Sequence, residues 1–153
     1  MRALEPWVVQ PLQTFLSESS ARLILLMTTA GQVVAQHGFA RSFEVMTAAA
    51  LGSAIVASTE ELARLMGMPR FGAVVHGGSH QSCMLAAFGT PRGRWIGLVV
   101  FGPETSVGLV QLFFDQMVEA LVAAAPREQT AQPLRAENFE RELNASLKEL
   151  FGR

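Results

Sequence analysis

His76, His80 and Cys83 fall within eight residues at the spacing His-x3-His-x2-Cys. Two imidazoles and a thiolate could hold a zinc ion and leave its fourth position to water. The residues between them read as a hairpin, however, and successive side chains of a hairpin face opposite sides of the sheet. No neighbouring carboxylate is placed to orient an imidazole. The pattern therefore predicts two ordinary histidines and a small apolar thiol, with no metal centre. Serines and threonines are plentiful, but none sits in a Gly-x-Ser-x-Gly turn, and the lone aspartate, Asp115, lies inside a predicted apolar-striped helix.

The basic residues are eleven arginines and Lys148. A phosphate-loop lysine, a core Schiff-base lysine and a pair of catalytic aspartates each require residues this chain lacks. No strand-linked Gly-x-Gly-x-x-Gly is present either, so no cofactor is expected. Arg70, Arg92 and Arg94 could gather an anion at one end of the strands, but separate surface arginines are the commoner arrangement.

With twelve basic and thirteen acidic residues the net charge is -1, which supplies no general attraction to nucleic acid or an anionic membrane. Half of the 153 residues are apolar and 16% are charged, more hydrophobic surface than one small monomer hides, which points to oligomerisation. A single cysteine and no apolar leader segment fit a reducing cytoplasm. The apolar stretches are expected to stop well short of a membrane span.

Several elements must position these residues. Pro11, Leu12, Phe15 and Leu16 predict a short first helix, and Arg22 to Thr28 a central strand. A hairpin at Ala30-Gly31 leads to a second strand over Gln32 to His37. The alanine-rich run from Ser42 to Met66, closed by Gly67, predicts a long helix. Phe71 to His76, Gln81 to Phe88 and Arg94 to Phe101 read as an antiparallel meander. Thr105 or Ser106 then caps a helix striped by Val107, Val110, Phe114, Met117, Val118 and Leu121. Residues 126–135, with Pro126 and Pro133, form the linker between a domain over 8–125 and a tail over 136–153. In the tail, Phe139, Leu143, Leu147, Leu150 and Phe151 recur at helical spacing and predict an amphipathic helix.

The long helix is small or apolar on nearly every side, so one sheet cannot cover all of it. Ala50, Ala54, Ala57 and Ser58 form a line of small side chains, with Ala49, Gly52 and Ser53 beside it. Such a line allows a second helix to approach closely, which fits a symmetric pairing.

The order helix, hairpin, long helix, three-strand meander, helix resembles the roadblock/dynein light-chain domain family. Leu25 to Ala35 is similar to that family's first hairpin, Glu61 to Gly67 to the end of its long helix, and Val107 to Val110 to the start of its last core helix. Pro69 to Gly78 and Leu147 to Arg153 resemble the family's bacterial gliding-motility branch, the MglB group. The resemblance implies an α/β fold with a five-stranded antiparallel sheet between helices and an appended C-terminal amphipathic helix. It also implies a homodimer that binds a small Ras-like (MglA-type) GTPase and stimulates its GTP hydrolysis without an arginine finger or an active site of its own. The subunits would join through the long helix and the Phe71 strand, which places Ala49, Gly52, Ser53, Phe71 and Val74 at the dimer interface. The GTPase-facing residues would be Ala50, Ala54, Ala57, Ser58 and Glu61, and on the tail Phe139, Leu143, Leu147, Lys148 and Leu150. Other roadblock chains act as scaffold or sensor subunits that assemble with further chains without accelerating hydrolysis.

Overall fold

The computed structural model describes residues 2–3, 5–40, 43–126, 141 and 143–150. Its centre is β2, Leu23–Thr28, a strand hydrogen-bonded on both sides. One neighbour is β3 (Val33–Gly38), the other β6 (Gly93–Phe101), and both run antiparallel to it. β5 (Ser82–Thr90) and β4 (Val74–His76) follow beyond β6, and β1 (Arg2–Ala3) lies outside β3, so the order is β1-β3-β2-β6-β5-β4.

The unbroken apolar run of β2 is explained by cover on both faces. Ile24 and Leu26 pack into a core with Leu12 and Phe15 of α1 (Val9–Ser19) and with Val110, Phe114, Met117 and Leu121 of α3 (Val107–Ala124). Leu23, Leu25 and Met27 point the other way, to Ala49 and Val56 of α2 (Val45–Leu65). Burial of each such side chain contributes about 1.5–3 kcal/mol, so the two faces make a sheet between two helical layers. Gly97 on β6 allows α3 to lie close: a Cβ there would stand 2.5 Å from the Phe114 ring.

The β2–β3 hairpin forms at the predicted glycine. Gly31 adopts φ +84°, and its amide donates to the Thr28 carbonyl at 3.0 Å. α3 is capped by Ser106, whose hydroxyl accepts from the Leu109 amide at 3.3 Å. α2 closes at Gly67, φ +72°, with the Met68 amide donating back to the Ala63 carbonyl at 2.9 Å.

The structure departs from the sequence expectation in four places. A sixth strand, β1, pairs Arg2 with Gln36 and Ala3 with Ala35; two residues are too few to show a period. α2 begins at Val45, not Ser42, because the Glu44 carboxylate caps it by accepting from the Met46 amide. β4 begins at Val74, not Phe71: Pro69 and Gly72 precede it, and its register on β5 runs only from Val74↔Leu85 to His76↔Cys83. Finally, α3 is by length and composition apolar enough to cross a membrane, where shorter apolar stretches were expected. It carries Asp115 and Glu119 and packs its apolar stripe on the sheet. Residues 143–150 are helical, here α4. Most of the predicted linker and the start of the tail lie outside the described residues.

Candidate functional site

α2 is twenty-one residues long and turns one stripe, Ala49, Gly52, Val56 and Ala63, into its own sheet. The small-residue line lies on the other side. Ala50, Ala54, Ala57 and Ser58 are all exposed, as is Glu61, which forms an ion pair with Arg64 one turn on. Ser53 is half-buried and its hydroxyl donates to the Ala50 carbonyl at 2.9 Å. Ala49 and Gly52 are covered by the chain's own sheet, and a Cβ on Gly52 would stand 3.2 Å from Met27 and Leu85. Neither offers surface to a second subunit.

Sequence reasoning missed the apolar side chains that flank this line. Leu51 and Leu62 are 59% and 52% exposed, and Leu65, Met66 and Met46 are exposed as well. The signal was present, since these positions fall off the sheet-facing stripe of a 3.6-residue period. A face of alanines rimmed by leucine and methionine offers close approach and adaptable apolar contact.

Next to α2 the sheet has an open edge. Phe71 and Val74 are half-buried there and line a cleft of about 430 Å³ together with Val56 and Glu60 of α2 and Phe114 of α3. Of the three arginines that could have gathered an anion, Arg94 pairs with Glu60 at this cleft and Arg70 lines it. Arg92 pairs with Glu5 at 3.2 Å instead.

The histidine and cysteine set is only partly assembled. His76 and Cys83 are cross-strand partners, while His80 lies in the turn between β4 and β5. Among the described residues no group of three or more His, Cys, Asp or Glu is placed to hold a metal ion. Burial pushes the Cys83 thiol above its ordinary pKa, against a smaller opposing effect of the His76 backbone, which disfavours the nucleophilic thiolate. Burial likewise holds His37 below the usual histidine value.

At the far end of β2, Arg22 ties three segments together. Its guanidinium donates to Glu104 at 2.8 Å and to the Gln81 side chain at 3.1 Å. The hydrogen bond from Arg22 holds the Glu104 carboxyl below its usual range.

On α4, Leu143, Leu147 and Leu150 are 49%, 42% and 77% exposed, and Lys148 is exposed too. Phe139 lies outside the described residues.

The backbone arrangement has clear relatives. A gliding protein MglB from Thermus thermophilus superimposes with a TM-score of 0.67 at 29% identity, over 78% of this chain and 88% of that one. Myxococcus xanthus MglB gives a TM-score of 0.70 at 22% identity, over 78% and 95% of the two chains. This is a roadblock fold, similar to MglB. A Roadblock/LC7 domain from Streptomyces avermitilis shares the fold at a TM-score of 0.62 and 15% identity, over 72% of this chain and 90% of that one. No family model and no curated protein matches the sequence. The roadblock likeness thus rests on the path of the backbone, with MglB also supported by more than a quarter of the aligned residues.

Proposed function

We propose that this roadblock chain is a regulatory homodimer that binds a small Ras-like (MglA-type) GTPase and stimulates its GTP hydrolysis. The observation that carries the reading is the outer face of α2, where Ala50, Ala54, Ala57 and Ser58 stand exposed within a fold similar to MglB. Residues 8–125 form the binding domain and 136–153 a separate tail that makes a second contact through Leu143, Leu147, Lys148 and Leu150, with Phe139 in the same segment. The chain works in the cytoplasm, without cofactor, nucleic acid or membrane insertion.

The dimer extends the sheet across its open edge at Phe71 and Val74, and the two α2 helices lie side by side. Two copies of a small-residue line then present one broad surface with differential affinity for the active GTPase conformation. Stimulation follows from that difference, since a partner biases a conformational equilibrium only as far as it prefers one state. No arginine finger is used: the partner's own catalytic groups are repositioned, and no residue of this chain enters the transition state.

The test is GTP hydrolysis by an MglA-type GTPase at rising concentrations of this protein. Saturable stimulation near two subunits per GTPase is expected. Binding that is indifferent to GTP or GDP, without stimulation, would replace this reading with a scaffold subunit.

A further inference from the structure

The outer edge of β5 is covered for only part of its length. Its ladder with β6 runs as far as Thr90↔Gly93, but its ladder with β4 stops at Val74↔Leu85. Among the described residues no strand lies along 86–90 on that side. The cleft of about 430 Å³ occupies this position. It is lined by Val56 and Glu60 of α2 on one face of the sheet and by Phe114 and Val118 of α3 on the other. A cavity that reaches both faces around a bare strand edge has the shape of a strand's lane.

Its far wall is the chain's own segment 70–73. That segment is held at both ends, by the Met68 amide donating to the Ala63 carbonyl at 2.9 Å and by Val74 on β5. Between these anchors it stands clear, since a Cβ on Gly72 would meet nothing within 4 Å. Continuing the β4 register sets Ala73 opposite Ala86, Gly72 opposite Ala87, Phe71 opposite Phe88 and Arg70 opposite Gly89, and opposite residues share a face. The side chains suit that alternation. Ala86 and Phe88 belong to the α1/α3 side, where Ala73 already packs and where Phe71 would join the edge contact of Phe88 with Phe114 at 5.7 Å. Ala87 faces α2, so Gly72 adds no bulk there and Arg70 comes to the side that holds the Arg94–Glu60 ion pair. A slip of one residue would exchange these places and set Arg70 among the aromatic rings. Pro69, with no N–H to donate, ends the extension.

We infer that 70–73 is a strap that closes onto β5 in this register, shuts the cleft and carries β4 back to Arg70. One consequence rests on the proposed dimer. A second copy pairing at this edge meets main-chain partners that β4 alone, at Val74–His76, does not offer, so closure and pairing favour each other.

The test traps the register. In a Cys83→Ser background, Gly72→Cys with Ala87→Cys is expected to form an intramolecular disulfide at least about tenfold faster than the off-register pair Gly72→Cys with Gly89→Cys, because only the first brings its Cα atoms within bonding range. Amide exchange in β2 and β6 reports that each variant is folded. In the wild-type chain, alternate amides of 70–73 should exchange at least about tenfold more slowly than those of the 77–80 turn. The trapped strap should lower the dimer dissociation constant by about tenfold in sedimentation. Equal rates for the two cysteine pairs, crosslinks only between chains, or amides unprotected throughout 70–73 would each overturn the strap. Trapping in register with no dimer at any concentration would keep the strap and remove the dimer from the functional reading.

Discussion

Ala54 shows how little a residue needs in order to matter at an interface. Its side chain is exposed, so Ala54→Arg is expected to change stability by less than about 0.5 kcal/mol. If two backbones approach closely there, the guanidinium has no room. GTPase affinity should then fall by more than about tenfold, a loss of at least ~1.4 kcal/mol, read by titration with the purified partner. Unchanged affinity would remove Ala54 from the contact. Gly97 is the opposite case, a buried residue. A Cβ placed 2.5 Å from the Phe114 ring forces that buried ring to shift within its packing, so Gly97→Ala should cost about 1–3 kcal/mol of unfolding free energy in a denaturant melt. The pair of variants separates binding from folding, since each should leave the other property nearly intact.

Elements differ in how plainly they announce themselves. The tail helix is the clearest test: removing residues 136–153 should leave the sheet and its three packed helices folded and weaken GTPase binding, seen as a raised Kd with an unchanged thermal midpoint. A lowered midpoint would show instead that the tail is part of the fold. The strongly periodic or unbroken segments were legible in the sequence, because burial on one face or on both leaves a mark at every second or fourth residue. β2, α2 and α3 are of this kind. β1 was not legible, since two residues carry no period and its pairing is decided by the exposed edge of β3. β4 was read three residues too long, because a lone edge strand is set by the neighbour it finds as much as by its own propensities. At the candidate site the small-residue line could be read, but its orientation could not. Ala49 and Ala50 are one residue and about 100° apart on the helix, one under the sheet and one in solvent.

The whole molecule has two sheet edges, and they are not equivalent. On one side β1 lies along β3, with Arg2 opposite Gln36 and Ala3 opposite Ala35. The segment that follows is anchored by the Glu5–Arg92 ion pair at 3.2 Å and by Trp7 stacked on Trp95 at a centroid distance of 5.5 Å. On the other side β4 has a strand neighbour only in β5 among the described residues, and Val75 is 38% exposed. An uncovered edge is a template for another strand, and a covered one is not. If two copies pair through β4, each uses the same edge and the contact is closed by its own symmetry. Growth past two then depends on the β3 edge, which β1 blocks. Deleting residues 1–4 should therefore give species larger than a dimer as concentration rises, measured by sedimentation, with Trp7 and Trp95 still stacked and their fluorescence unchanged. Phe71→Asp, which puts a carboxylate at the open edge, should give a monomer, and combined with the deletion should allow association only through β3. A truncated chain that stays dimeric at every concentration would mean that β1 is not what limits the assembly.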